Sequence, residues 1–146
     1  MAFQDVPNQI HWKLHFSSTV DKVYQALNTD EGRSGFWAET APEIDGHVHF
    51  SILNYPTYEA KIIDRKENEY FKIEYFGTEV TFTLRESRQG GTILNMFAFV
   101  TNTEAKEEMT AGWVSVLLAM KASVDFGVDL RNHSEIRSWQ QGFVDN

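Results

Sequence analysis

A chain of 146 residues, 42% hydrophobic and 14% aromatic, is the size of one domain with ample material for a core, which excludes wholesale disorder. With 21 acidic against 13 basic residues the net charge is −8, the wrong sign for a nucleic-acid surface, and the scattered Lys and Arg form no basic helix for a membrane surface. The lack of cysteine excludes disulfides and thiolate chemistry. Residues 1–6 have neither the basic nor the apolar region of a secretory leader, and no apolar run is long enough to insert in a bilayer, so a cytoplasmic location is expected.

Residues 9–17 alternate strictly, with Ile10, Trp12, Leu14 and Phe16 on one face and His11, Lys13, His15 and Ser17 on the other, which predicts a half-buried strand. Ser18 is placed to cap a short helix whose apolar face is Val20, Val23, Tyr24 and Leu27. A second short helix is expected from Thr29 to Trp37, weakened by Gly32 and Gly35, and Pro42 ends the helical section. A run of strands follows over residues 47–53, 57–65, 69–76, 79–88 and 92–101, with Gly77 and Gln89-Gly90-Gly91 as turn signals. The last of these strands is apolar on both faces, which predicts cover on both sides.

A long helix is expected from about Lys106 to Val128, with Met109, Trp113, Val116, Leu117, Met120 and Val124 in one stripe. Leu118, Ala122 and Phe126 make a second, narrower stripe, which the aromatic tail, a partner chain or the short helices are expected to cover. There is no repeat or linker, so residues 1–146 read as one domain. Its tail, residues 131–146 with Trp139 and Phe143, is expected to dock on the domain itself or on a partner subunit, which leaves a homodimer open.

The segment Val20-Asp21-Lys22-Val23-Tyr24-Gln25-Ala26-Leu27, the pair Phe36-Trp37, and Gly112-Trp113 with Leu117 and Met120 together resemble the START-like superfamily, also called SRPBCC or birch-pollen-allergen-like. The C-terminal stretches Asp129-Leu130-Arg131-Asn132-His133, Arg137-Ser138-Trp139 and Gly142-Phe143-Val144-Asp145-Asn146 are similar to bacterial members related to the activator of heat-shock-protein-90 ATPase. The resemblance implies an α+β helix-grip fold: a curved antiparallel sheet of about six strands, two short helices and a long C-terminal helix over an apolar cavity. It also implies varied functions, since some relatives are cyclases or hydrolases, some are carriers or receptors, and one branch acts on a chaperone. No catalytic motif is common to them, so no residue inherits a catalytic role.

Within that frame Trp113, Leu117, Met120 and Val124 are expected to face Phe82, Leu84, Met96 and Tyr75 across a pocket for a small hydrophobic molecule. Asn95, Tyr58, Thr81 and Thr83 are candidates to orient the ligand. His11 and His15 share one strand face and His47 and His49 another; pairing of those strands would gather four imidazoles, but solvated histidines are the simpler reading and no metal site is assigned. No phosphate loop, nucleophile elbow or HExxH is present, so no cofactor and no catalytic residue is assigned, although Glu43, Asp45, Glu59 or Glu74 would serve as acid or base if buried. The expected function is non-enzymatic binding of an apolar or amphipathic ligand. The alternatives are a cyclase- or hydrolase-type enzyme and a co-chaperone-like interaction module.

Overall fold

The period-2 segments assemble as one sheet in the computed structural model, which describes residues 4–146. Residues 1–3, part of the segment read for a leader, lie outside the described residues. In chain order the elements are β1 (Gln9–Phe16), α1 (Val20–Asn28), α2 (Asp30–Ser34), β2 (Glu43–Ile44), β3 (His47–Phe50), β4 (Tyr58–Lys66), β5 (Tyr70–Tyr75), β6 (Thr78–Glu86), β7 (Thr92–Phe99) and α3 (Lys106–Phe126). A 3-10 turn, Thr103–Ala105, leads into α3, and a second, Trp139–Gln141, lies in the tail.

Strands β2 to β7 form an antiparallel meander, and β1 joins its far end, giving the order β1-β7-β6-β5-β4-β3-β2. The sheet has seven strands because Glu43–Ile44 pairs with β3, a short pairing that no periodic pattern announced. Register puts Trp12, Met96 and Phe82 in one row and Leu14, Leu94 and Leu84 in the next, so their side chains share the concave face. On that face Ile10, Phe71, Ile73, Val80, Phe82, Leu94, Met96 and Ala98 are fully or almost fully buried. Among the described residues no layer covers the opposite face of β7: Ile93 and Phe97 are half-buried and Phe99 is exposed. His11 stacks on Phe97 at 4.2 Å, which shields part of this second face without a further layer.

The helices are fixed by short-range chemistry. Thr19, not Ser18, caps α1 by accepting from the Lys22 N–H. Ser18 instead donates its hydroxyl to Asp125 (2.7 Å), and Asp125 also accepts the Ser17 and Ser18 N–H groups, tying the end of α3 to the β1–α1 corner. Burial opposes ionisation of Asp125, but these donors outweigh it and hold its pKa below the ordinary value. α2 is a little over one turn long and ends well before Trp37. A Cβ on Gly32 would fall 2.5 Å from the Ala26 Cα, and one on Gly35 2.5 Å from the Ser123 Oγ. Both glycines are therefore contact points of α2, with α1 and with α3, rather than mere weaknesses in a helix.

α3 begins with Glu107 and Glu108 in its first turn, where the helix dipole favours them, and ends at Gly127 in the left-handed conformation. Trp113, Leu117, Met120 and Val124 are buried against the sheet and α1, as one helical stripe requires. Leu118 (52% exposed) and Phe126 (70% exposed) remain in solvent, so neither the tail nor the short helices cover the second stripe. The tail crosses the other side of the helix, where the cavity is.

Candidate functional site

The cavity, about 360 Å³, opens between the N-terminal half of α3, the segment after α2, the loop after β3, the end of β5 and the tail. Its floor is aromatic. Trp37, Tyr75 and Trp113 contact one another at ring distances of 5.4, 5.8 and 6.0 Å, steeply tilted, with Phe50 and Phe82 packed behind Trp37. Phe36, Ile52, Phe76, Met109 and Val116 form its sides. Its rim is polar, with Glu39 from the body and Arg131, Ser134, Arg137 and Ser138 from the tail, beside Trp139.

Trp37 reaches the floor through a chain of local constraints. Thr29 caps α2 by accepting from the Gly32 N–H, and the Trp37 N–H then donates back to the Arg33 carbonyl at 2.8 Å. The Arg33 side chain is fully buried and donates to the Ala41 carbonyl through Nε and Nη2 and to the Leu27 carbonyl through Nη1. Glu39 and Thr40 pair with Ser51 through backbone hydrogen bonds, so the whole segment is clamped to the sheet. Burial pushes the Tyr75 hydroxyl up to about 12, with the Trp37 N–H pulling weakly the other way, so it stays protonated and can donate at neutral pH.

The tail closes the cavity from above. Arg131 donates to the Ala38 (2.7 Å) and Ser34 (2.6 Å) carbonyls while also pairing with Asp129. His133 bridges Glu39 and Asp129, each at 2.7 Å, and Trp139 donates its indole N–H to Glu108 on α3 at 2.8 Å. Ser115 on α3 donates to the Val144 carbonyl, and Asn54 donates to the Glu135 carbonyl. Burial would raise the pKa of Asp129, but the donors from Arg131 and His133 outweigh it and bring it down to about 2. Hydrogen bonds to Asp129 and then Glu39 raise the pKa of His133 above 6.5.

This latch has a pH dependence of fixed sign. A raised histidine pKa contributes stability that is fully present below the ordinary value and fades as pH rises through the folded-state value. Asp129 stays ionised throughout that range, since its own contribution is fully present above the ordinary aspartate value and is lost only as pH falls from there through about 2. Protection of tail amides against hydrogen exchange, normalised to that of β7, is therefore expected to fall in wild type as pH rises above the ordinary histidine value. It should be flat in His133→Gln. A flat wild-type profile would remove His133 from the latch.

Of the residues expected to bind ligand, the structure brings Trp113 and Tyr75 to the cavity. Leu117, Met120, Val124, Phe82, Leu84 and Met96 are packed in the buried core beneath it, so the space expected between helix and sheet is filled by their own side chains. Tyr58 stands one layer back: its hydroxyl donates to Glu74 (2.6 Å) and its ring stacks on Phe76, a cavity wall, at 4.0 Å. Asn95 lies on the convex face, 3.1 Å from His11 Nε2, and Thr81 and Thr83 share that face. The tail residues and Trp37 carried no site signal of their own, although both lay in stretches that bore the family resemblance.

The four imidazoles are not gathered, because β1 and β3 are separated by four strands and do not pair. Each has a local contact instead: His11 with Asn95, His15 with the Gly90 carbonyl, His47 with the Asp45 carbonyl and His49 with Glu59. Among the described residues no cluster of three or more His, Asp or Glu is arranged to hold a metal ion, and no helix is long and apolar enough to cross a membrane.

No family model and no curated protein matches the sequence. Solved structures match it well. Protein SSP2350 of Staphylococcus saprophyticus superposes with a TM-score of 0.73 at 20% identity, over 84% of this chain and 96% of that one. The Aha1 dimer of Colwellia psychrerythraea gives 0.71 at 20% identity, over 82% and 97%. An AHSA1-like protein of Aeromonas hydrophila gives 0.70 at 15% identity, over 86% and 97%. The chain has the helix-grip fold of these solved proteins. At these identities the likeness carries the fold alone. In this helix grip the cavity sits under the tail and the first half of α3 rather than along the full helix.

Proposed function

We propose that this helix-grip domain binds a small, largely apolar molecule with one polar end, non-covalently and without transforming it. The observation that carries the reading is an aromatic floor under a polar rim in a cavity of about 360 Å³, within the size range of small-molecule sites. Burial of apolar ligand surface would drive binding, at about 25 cal/mol per Å² before entropic costs. A thermal-shift and native mass-spectrometry screen over fatty acids, sterols and polycyclic aromatics tests it. Bound probes should raise the melting temperature with the logarithm of concentration above Kd. Val116→Phe, which fills the cavity from α3, should abolish that shift without unfolding the protein. If no probe is retained by wild type, the reading fails.

A second reading, contact with another protein, is favoured by the exposed apolar side chains Leu118 and Phe126 on α3 and Val128 and Leu130 just after it. The solved Colwellia relative is a dimer, which makes a second copy of this chain the occupant to test first. Sedimentation that is monomeric at every concentration, and unchanged in Phe126→Ser, would dismiss the homodimer. Enrichment of a chaperone by wild type, lost in Phe126→Ser but kept in Val116→Phe, would support a co-chaperone-like role.

A further inference from the structure

The tail divides at Arg131. That side chain is only 10% exposed and is held by Asp129 and by the Ser34 and Ala38 carbonyls, so it anchors the chain to the body. Beyond it, residues 132–145 fold on themselves. The Asn132 N–H donates to the Asp145 carbonyl at 2.7 Å, which closes the loop at its base, and the Asn132 side chain donates to the Arg137 carbonyl and the Asp145 carboxylate. Inside the loop the Ser138 N–H donates to the Gln141 side chain and the Phe143 N–H to the Ser138 carbonyl. A compact surface loop whose ends meet in this way has internal structure of its own.

What joins the loop to the body is polar. His133 reaches Glu39, Asn54 reaches the Glu135 carbonyl, the Trp139 indole N–H reaches Glu108, and Ser115 reaches the Val144 carbonyl. None of residues 132–145 is buried, and the apolar Ile136, Phe143 and Val144 are exposed. An element attached by a few hydrogen bonds, with little apolar surface beneath it, opens far more readily than the core unfolds. Yet Ser134, Arg137, Ser138 and Trp139 wall the cavity on this side. We propose that residues 132–145 are a lid, which detaches as one unit beyond the Arg131 anchor and uncovers the cavity while the sheet and α3 stay folded. The inference is independent of what the cavity holds.

The chain has no cysteine, so a thiol placed in the cavity reports its own exposure. Ala119 on α3 is buried and lines the cavity, and the test follows alkylation of Ala119→Cys by N-ethylmaleimide. Where the lid recloses faster than the thiol reacts, the rate follows the open population. Adding Glu108→Ala, or Ser115→Ala, removes one tether and should speed labelling about fivefold, the worth of one ordinary hydrogen bond. Glu107→Ala removes the same charge from the first turn of α3 but makes no hydrogen bond to the loop among the described residues, and should stay within about twofold. Equal rates in all these backgrounds would overturn the lid, because the cavity would then be reached without it. A faster rate matched by an equal loss of β7 amide protection would overturn it too, as global unfolding. In the unaltered protein the Asn132, Gly142 and Phe143 amides and the Trp139 indole N–H should share one protection factor well below that of β7. Protons that exchange independently, or only together with β7, would overturn the single unit. No ligand enters either measurement, so neither bears on the binding reading.

Discussion

Arg33→Ala is expected to lower the unfolding free energy by about 4 kcal/mol, measured as a shift of the urea midpoint at constant slope. The guanidinium is buried and makes three hydrogen bonds to two backbone carbonyls, Ala41 and Leu27, without a carboxylate in contact among the described residues. Burial depresses its pKa, while Glu43 and Asp30 act from a distance to favour the charge. Truncation removes the three bonds, strands both carbonyls and leaves a cavity. Arg33→Met separates these effects: it keeps most of the volume, loses the bonds, and should cost about 2 kcal/mol. An Arg33→Met variant as stable as wild type would mean that desolvation of the cation had cancelled its hydrogen bonds. Because the Arg33 carbonyl also accepts from Trp37, the alanine variant should loosen the cavity wall as well.

Gly91→Ala is expected to cost about 3 kcal/mol or more, for two reasons that add. Gly91 has φ +77°, a conformation that strains any residue bearing a Cβ. An added Cβ would also fall 2.0 Å from the Phe16 carbonyl oxygen, far inside van der Waals contact, and that neighbour is backbone that cannot rotate away. Gly90 provides the internal control. Its φ is +95°, but a Cβ there meets nothing within 4 Å, so Gly90→Ala should show the strain alone, about 1 kcal/mol. Equal midpoints for the two variants would show that the β1–β7 corner yields easily, and the steric argument would be wrong.

Apart from the two-residue β2, whose residues are both exposed, the sheet was legible in the sequence because its strands bury one face, and alternation such as Val80, Phe82 and Leu84 is a local record of that burial. The core stripe of α3 was legible for the same reason, at helical period. The cavity was not, because its position depends on where the chain returns after Gly127, and no periodic pattern encodes that. Arg131 and His133 decide it by reaching Ser34, Ala38 and Glu39, nearly a hundred residues away in sequence. Gly32 shows the converse error. Helix propensity marks it as a weak point, but the approach of Ala26 leaves no room for any other residue. Ser18 and Thr19 are equally good caps on paper, and the choice fell to Thr19 because Asp125 at the far end of the chain engages Ser18.

The distribution of indoles has a practical consequence. Of the four tryptophans, Trp37, Trp113 and Trp139 line the cavity and only Trp12 lies away from it. Intrinsic fluorescence of the unlabelled protein is thus weighted toward the cavity, with Trp12 as a constant background. A molecule entering beside these three indoles will change their emission, and one that absorbs in the near ultraviolet will quench it by energy transfer, so the protein carries its own optical reporter of occupancy.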